Sequence, residues 1–345
     1  MNSRRQPKNW EDLSPSKVED FMESEHIVHI PVMVTEVLEW LSPPPLQKPD
    51  EPILFIDCTL GEGGHSERFL SLFPFLNLVG IDRDPVIQQK ARNRLKSFGN
   101  RVTYFQGWYD DFFSSYPLEI RPDRILFDLG ISVFHYEESS RGFSFSRDEP
   151  LDMRLDPGTG LSARDILNQW SEERIANLIF TYGEERYSRR IARAIVERRK
   201  TRPFESSKEL AELIFTSVPH EYRHGRIHPA TRTFQGLRIE VNQELERIQR
   251  AVKSAFQVLK PGGILGVISF HSLEDRIIKN LFRDWAKRCI CPPEVPMCKC
   301  GGYPLGVVKS KKPIVPGEDE VRKNSPSRSA KFRVIEKLRD ERFST

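Results

Sequence analysis

Three aspartates stand where a carboxylate could hold a ligand or accept a proton. Asp57, Asp82 and Asp128 each close a short apolar run of the chain. If these runs are parallel strands, their carboxyl ends meet at one edge of a sheet, where ligands of α/β proteins bind. A helix cap is the alternative interpretation of each aspartate alone. Three at successive strand ends favour a ligand site.

A glycine-rich turn follows the first aspartate. Gly61, Gly63 and Gly64 lie between the apolar run 53–56 and the amphipathic segment 65–73, which predicts a strand, a tight loop and a helix. Glycine allows positive φ and close approach of a ligand to the backbone, and the helix N-terminus offers unpaired N–H groups. The loop is not a regular G-x-G-x-x-G, so alone it indicates only a nucleotide-like cofactor. Asp82 is placed to accept hydrogen bonds from both hydroxyls of an adenosine ribose.

The surrounding pattern predicts an α/β fold. Further apolar runs at 76–81, 101–106, 125–128 and 264–270 alternate with helical segments, which favours a doubly wound, mostly parallel sheet. The interval between Asp128 and the run 264–270 is too long for a structureless loop. Four segments within it have apolar residues at helical spacing, at 162–167, 171–180, 186–199 and 206–217. Residues 136–230 are therefore predicted to be an inserted helical domain.

The predicted insertion carries a concentration of arginine. Residues 185–202 hold eight basic and two acidic side chains. One face of a helix there would present Arg186, Arg189, Arg190 and Arg193. A solvated face is the alternative, but arginine in such density favours phosphate contacts. The inserted domain is thus expected to bind a polyanion, with Arg232 and Arg238 as further phosphate ligands near the junction.

Composition sets broad limits. The chain has 345 residues and a formal charge of only +4, so bulk charge does not establish a nucleic-acid partner. No apolar run approaches membrane-spanning length, and the polar start lacks the apolar core of a signal peptide. Residues 1–25 are expected to be a flexible tail. Five cysteines without an export signal favour a reducing, cytoplasmic environment.

Specific motifs occur along nearly the whole chain. They read HIPVM at 29–33, DCTLGEGGHS at 57–66, IDRDP at 81–85, FDLG at 127–130, RGFSF at 141–145, LDMR at 151–154, YGEER at 182–186, IARAI at 191–195, HPATRTFQ at 228–235 and ISFHSLEDR at 268–276. Together they resemble the RsmH/MraW family of bacterial 16S rRNA cytosine-N4 methyltransferases. The resemblance covers about residues 26–335.

The resemblance implies a class I methyltransferase sheet, S-adenosylmethionine as methyl donor and a target cytidine in the decoding region of the small ribosomal subunit. Residues 26–135 and 231–345 would then form the domain that binds the methyl donor. By the family's pattern, the cofactor-binding residues would be Gly63, Gly64, His65, Asp82, Tyr109 and Asp128. His135 stands where relatives carry a glutamine that touches the methyl donor.

Cytosine N4 is a poor nucleophile because its lone pair is delocalised into the ring. The protein must align it and accept a hydrogen bond or proton from it. Asp128 is one candidate acceptor, and the block Ser269–Arg276 is the other. In that block Phe270 could stack on the base and His271 could bond the base or a phosphate. A structural histidine is the alternative for His271, and Ser272 with Asp275 is read as a helix start.

Four thiols lie close together near the C-terminus. Cys289, Cys291, Cys298 and Cys300 fall within 12 residues and suit a small tetrahedral zinc site, although C-x2-C is the commoner spacing. Four reduced thiols near the RNA are the alternative.

Two other functions remain open at this point. A nicotinamide-dependent dehydrogenase would leave the insertion unexplained, and a non-catalytic RNA-binding ribosome-assembly factor would retain the methyl-donor pocket without chemistry. The oligomeric state is open, a homodimer being one option.

Overall fold

A mixed seven-stranded sheet is the centre of the computed structural model, which describes residues 30–43, 52–116, 119–291, 294, 297 and 300–341. The strands are β1 (Ile53–Asp57), β2 (Leu76–Asp82), β3 (Val102–Gln106), β4 (Arg124–Asp128), β5 (Ile264–Ser269), β6 (Gly306–Val308) and β7 (Lys331–Lys337). Their order in the described residues is β3-β2-β1-β4-β5-β7-β6. Strands β1 to β5 are parallel, and β7 is antiparallel to both neighbours. The predicted doubly wound, mostly parallel sheet is confirmed.

The strand order places a crevice at the ends of β1 and β4. The chain leaves β1 toward β2 and β3 on one side, and returns to β4 and β5 on the other. Ligands of open α/β sheets bind at such a switch point, outside the carboxyl ends of the strands. Strand β1 is buried along its whole length, as expected of a strand covered on both faces. Asp57, Asp82 and Asp128 are the last residues of their strands.

Five helices accompany the first four strands: α1 (Val34–Leu41), α2 (Gly64–Leu72), α3 (Pro85–Arg94), α4 (Tyr109–Ser114) and α5 (Val133–Glu137). Helix α3 begins as its sequence indicates, with Pro85 in the first turn and the Asp84 side chain accepting from the amide of Val86 at 2.8 Å. It ends at Arg94, and the chain then tightens into a 3-10 turn over Lys96–Arg101.

The long interval between β4 and β5 is helical, as predicted. Its helices after α5 are α6 (Ala163–Gln169), α7 (Glu172–Gly183), α8 (Ser188–Arg199), α9 (Ser207–Ser217), α10 (His220–Arg223), α11 (Ala230–Asn242) and α12 (Glu244–Val258). The hydroxyls of Ser162, Ser171 and Ser206 cap α6, α7 and α9. One expectation was wrong: α8 begins at Ser188, so Arg186 precedes the helix and does not belong to its face.

The helical region has a hydrophobic core of its own. Side chains from α6, α7, α8 and α9 meet there, and α11 adds Phe234 and Leu237. Helices α7 and α11 cross closely at two glycines. A Cβ on Gly183 would lie 2.5 Å from the carbonyl oxygen of Arg232, and one on Gly236 would lie 3.1 Å from the amide nitrogen of Gly183. The crossing therefore requires residues without side chains.

The chain closes with helix α13 (Ser272–Ala286), strand β6, the short helix α14 (Glu318–Lys323) and strand β7. Residues 31–345 form one compact unit, whereas residues 1–30 form another, of which only Ile30 is described. The predicted tail, residues 1–25, lies outside the described residues. None of the described helices combines the length and the apolar character needed to cross a membrane.

Candidate active site

Asp57 ties the end of β1 to the first turn of α2. The hydroxyl of Ser66 donates to Asp57 Oδ2 at 2.7 Å, and the amide of Thr59 lies 3.3 Å from Oδ1. Asp57 is only 2% exposed, and this burial raises the pKa of its carboxyl above the ordinary value. Because both oxygens are engaged inside the protein, Asp57 shapes the loop.

Asp82 holds the glycine loop from the neighbouring strand. Its Oδ2 accepts from the amide of Gly61 at 2.8 Å, and its Oδ1 accepts from the amide of Asp84 at 2.9 Å. Gly61 and Gly63 have φ of +53° and +82°, which favours glycine at both positions. Burial raises the pKa of Asp82 to about 7. Each carboxylate oxygen can accept a second hydrogen bond, so Asp82 can still bind a ligand hydroxyl.

The loop is also packed tightly against the start of the compact unit. A Cβ on Gly64 would lie 2.2 Å from Cγ of Pro31, so no larger residue fits there. The first turn of α2 is thereby held under the end of β1, with the buried side chain of His65 on it. The sequence motif around the loop thus requires glycine for packing as well as for conformation.

His65 and Asp128 lie side by side where β1 and β4 end. Nε2 of His65 is 3.7 Å from Oδ2 of Asp128, and the Asp128 amide donates to Oγ1 of Thr59 at 2.7 Å. Among the described residues, neither ring nitrogen of His65 nor Oδ1 of Asp128 has a hydrogen-bond partner. Buried polar atoms are nearly always satisfied in proteins. This pair can therefore satisfy the polar groups of a bound cofactor or substrate.

Tyr109 starts helix α4 beside the same crevice. Its ring meets Phe127 of β4 edge to face, with centroids 5.6 Å apart. Burial, together with nearby Glu244 and Asp110, raises the pKa of Tyr109 well above its usual value. The phenol is therefore neutral and presents an aromatic surface with a hydroxyl.

His135 is buried against Asp84. Its Nε2 is 3.2 Å from Oδ2 of Asp84, an oxygen that also receives a hydrogen bond from Arg141. Burial lowers the pKa of His135. Asp84 is itself buried, but hydrogen bonds from His135 and Arg141 lower its pKa. The structure thus places His135 against Asp84, which follows Asp82 by two residues in the chain. The role of His135 toward a cofactor stays a prediction.

The turn after β5 lies against the turn after β4. A Cβ on Gly130 would lie 3.0 Å from the ring of Phe270. The two regions that the sequence offered as alternative sites for the N4 acceptor are therefore in contact. Asp128 and Phe270 come from different strands but border the same crevice.

Glu274 fixes the backbone of that second turn. Its Oε2 accepts from the amides of Phe270 at 2.8 Å and His271 at 3.2 Å, while Oε1 is 3.1 Å from Nε2 of His271. Glu274 is 1% exposed. The helix start expected at Ser272 and Asp275 is confirmed, because α13 begins at Ser272 and Asp275 lies in its first turn. His271 occupies the N-cap position, and Asp275 also pairs with Arg333. A glutamate three residues after His271 was the available signal for Glu274.

The predicted RNA-binding arginines fall into two groups. Arg189, Arg190 and Arg193 are exposed on α8. Arg186, in the turn before α8, lies over the rings of Tyr187 and Tyr222, with its guanidinium carbon 4.8 and 4.9 Å from their centroids. These four side chains are accessible to a polyanion.

The other two arginines bond within the protein. Arg232 donates to the carbonyl oxygen of Glu184 at 3.1 Å. Arg238 makes two hydrogen bonds of 2.9 Å to Glu244 and one of 3.0 Å to the hydroxyl of Tyr136. Only 13% of the Arg238 side chain is exposed, and although burial opposes it, Glu244 raises the pKa of Arg238. The structure therefore places Arg238 in an internal ion pair at the corner between α11 and α12.

The C-terminal cysteines also converge in part. Sγ atoms of Cys289, Cys291 and Cys300 lie within 4.8 Å of one another, whereas Cys298 lies outside the described residues.

Comparison with known proteins identifies the family of this chain. The model of the MraW methylase family matches residues 26–338. Ribosomal RNA small subunit methyltransferase H of Treponema denticola is 54% identical, over 90% of this chain and 98% of that protein. The proteins of the same name from Treponema pallidum and Borrelia turicatae are 44% and 45% identical, over 90% and 91% of this chain and 93% and 99% of their own lengths. A family match across nearly the whole described fold, with a methyltransferase-type sheet and a polar crevice at its carboxyl edge, shows that this chain belongs to the MraW methylase family.

Proposed function

We propose that this protein transfers a methyl group from S-adenosylmethionine to the exocyclic N4 of a cytidine in the decoding region of 16S rRNA. The observation that carries the proposal is the pair His65 and Asp128, whose buried polar atoms lack partners among the described residues. The pair lies beside the glycine loop, in a chain whose relatives are named small subunit rRNA methyltransferases.

The residues around the loop fit this methyl donor. Asp82 has acceptor capacity left for ribose hydroxyls. A Cβ on Gly61 would lie 3.9 Å from the carbonyl oxygen of Thr59, so there is room for a ligand to approach the loop backbone there. Tyr109 offers an aromatic face for an adenine. When bound, S-adenosylmethionine supplies a methyl group that is already activated on a sulfonium centre. The unsatisfied atoms of His65 would face its polar groups.

Asp128 is our candidate for the N4 acceptor. Its Oδ1 has no hydrogen-bond partner among the described residues, so it can accept from the amine as the N4 lone pair becomes available. His271 is the second candidate: Glu274 accepts from its backbone amide, while its ring nitrogens, like those of His65, have no hydrogen-bond partner among the described residues. Phe270 borders the same crevice through Gly130 and would stack on the target base.

The helical region would hold the RNA. Arg186, Arg189, Arg190 and Arg193 are exposed and would contact phosphates. Arg232, half-buried, would contribute at the edge of that surface, while Arg238 would support it through its pair with Glu244. Residues 26–135 with 231–345 would then bind the methyl donor and residues 136–230 would recognise RNA.

Methyl transfer to isolated small ribosomal subunits tests the proposal. We expect radiolabel from S-adenosylmethionine to enter 16S rRNA, and nucleoside analysis to find N4-methylcytidine. The Asp128→Asn variant serves as the control for enzyme-dependent transfer. Binding of the methyl donor without transfer to either free rRNA or subunits would instead support an assembly factor, and binding of NADH alone would support a dehydrogenase.

A further inference from the structure

We propose that Cys289, Cys291 and Cys300 bind a zinc ion that orders the segment between α13 and β6. We call residues 287–304 the cysteine lobe. The Sγ atoms of the three cysteines all lie within 4.8 Å of one another, and those of Cys289 and Cys300 are 3.9 Å apart. Zn–S bonds of about 2.3 Å in a tetrahedron place sulfurs about 3.8 Å apart. The three thiols are therefore already near the spacing that a zinc ion requires.

The local backbone favours thiolate ligands. The amide of Cys291 donates to Sγ of Cys289 at 3.4 Å, and N–H donors to sulfur stabilise the negative charge of a metal-bound thiolate. Arg288 precedes this pair in the chain and adds positive charge.

The described residues of the cysteine lobe form no hydrophobic core that would hold it in place. None of its described residues is buried, and it exposes 50% of Ile290, 73% of Met297 and 42% of Tyr303. The lobe leaves and rejoins the fold at one place, where the amide of Leu305 donates to the carbonyl oxygen of Trp285 at 2.8 Å. Small segments that cannot bury apolar surface are usually held by disulfides or by metals.

A disulfide is the alternative way to hold this segment, but the distance between the sulfurs of Cys289 and Cys300 argues against it. A sulfur–sulfur bond is about 2.05 Å long, much shorter than the 3.9 Å between Cys289 and Cys300. Among the described residues three thiols converge, which is one more than a single disulfide uses, whereas one metal ion can bind all three.

Metal analysis of the full-length protein, purified under reducing conditions without chelator, tests this site. We expect about one zinc per chain, released when the thiols are modified. Cys291→Ser and Cys300→Ser should each weaken zinc binding on the order of 100-fold, since one of the metal bonds is lost. The matched control is Cys58→Ala, which removes the buried cysteine at the end of β1 and should retain zinc.

A second measurement guards against misfolding of the variants. Removing zinc from the unmodified protein with a chelator should increase amide hydrogen exchange in residues 287–304 and leave that of β1, β4 and β5 unchanged. Affinity for S-adenosylmethionine should also stay unchanged, which separates this site from the proposed methyl transfer. Wild-type protein without zinc, and without thiolate charge-transfer absorption on cobalt addition, would overturn the proposal. An intact mass lower by two hydrogens without metal, or equal zinc retention in the serine variants, would do the same.

Discussion

Of the histidine–carboxylate pairs at this edge of the sheet, two differ in what their carboxylates hold. We call His65 with Asp128 the open pair and His271 with Glu274 the closed pair. The nearest nitrogen–oxygen distances are similar, 3.7 Å in the open pair and 3.1 Å in the closed pair. The ring nitrogens of both histidines lack hydrogen-bond partners among the described residues, so the difference is confined to the carboxylates. In the closed pair, Glu274 accepts hydrogen bonds from two backbone amides. In the open pair, Oδ1 of Asp128 has no partner within the described part of the chain.

The contrast separates a structural carboxylate from one kept for a ligand. A buried carboxylate that receives backbone N–H groups stabilises a turn, and its removal leaves those groups unsatisfied. A half-buried carboxylate with an unused oxygen contributes less to the stability of the folded protein, and such groups concentrate at functional sites. Proximity of a histidine to a carboxylate therefore does not identify chemistry in this protein. What distinguishes the two pairs is whether the second carboxylate oxygen already has a hydrogen-bond partner.

The largest expected effect is the loss of methyl transfer when the open pair is altered. Asp128→Asn keeps the shape of the side chain and the amide contact with Thr59 but removes the basic oxygen. We expect the rate of methyl transfer to small subunits to fall roughly 10²- to 10⁴-fold, as is usual on removing a group that accepts a proton. Single-turnover kinetics with saturating methyl donor measures this step.

The contrast between the open and closed pairs would be wrong if Asp128→Asn transferred methyl groups at the wild-type rate. Thermal unfolding of the same variant is the control, because the melting temperature should stay close to that of the wild type. A rate that falls only in proportion to a loss of folded protein would mean that Asp128 is structural.

The next largest expected effect is a loss of folding stability when the closed pair is disrupted. Glu274→Ala leaves the amides of Phe270 and His271 without their acceptor, at a cost of about 1–3 kcal/mol in the free energy of unfolding. Glu274→Gln retains one carbonyl oxygen and should cost less. Urea denaturation measures both. If Glu274→Gln slowed methyl transfer as much as Asp128→Asn while unfolding normally, Glu274 would take part in the chemistry and the closed pair would be misnamed.

The sequence predicted where these groups lie better than what they contact. Asp57, Asp82 and Asp128 have the same local pattern, an apolar run ending in aspartate, and all three end strands as expected. Their contacts differ, because Asp57 bonds Ser66, Asp82 bonds backbone amides and Asp128 keeps one oxygen open. Strand ends follow from local hydrophobic periodicity, whereas partners depend on how the loops pack.

The same limit explains the arginines and the turn after β5. Helical periodicity correctly indicated exposed arginines on α8, but it could not show that Glu244, six residues after Arg238, would bind that arginine inside a helix corner. Arg186 was assigned to a helix because the helical spacing of apolar residues in 186–199 includes Tyr187, where the structure turns before the helix begins. Partner choice across a corner is a tertiary property that sequence spacing does not encode.

A smaller effect concerns pH and Asp82, which ends β2 at the same edge of the sheet as the open pair. Its folded pKa of about 7 exceeds the ordinary 3.8, so its contribution to stability is present at low pH and is lost as pH rises through 7. Binding of ribose hydroxyls needs the ionised form. Affinity for S-adenosylmethionine should therefore fall about tenfold from pH 8 to pH 6, while the unliganded protein gains stability from this group.

Calorimetric titration across that range, with Asp82→Asn as the control, checks the assignment. The variant should bind the methyl donor weakly and with a flat pH profile, and its RNA affinity should be unchanged. The pKa of Asp84 is lowered, so this neighbour stays ionised across the range. His135 remains in the variant, so any contribution from its titration would persist in Asp82→Asn. A tenfold change that persists in Asp82→Asn would assign the titration to another group.

The smallest effect extends the contrast between open and closed groups to the arginines. Arg189 and Arg193 are exposed on α8, so each would contribute one phosphate contact, whereas Arg238 is committed to Glu244. We expect Arg189→Ala and Arg193→Ala to weaken binding to small subunits modestly and to reduce the slope of log affinity against log salt by about 0.7–0.9 each.

Lys208→Ala is the matched control, because it removes an exposed positive charge from α9, outside the arginine surface. Its salt dependence should equal that of the wild type. Filter binding at several salt concentrations distinguishes the two results. Equal slopes for all three variants would mean that α8 is a solvated face. Since Arg238 is an internal group, replacing it should lower the melting temperature before it changes the salt slope, and the opposite order would show that the pair with Glu244 opens to receive RNA.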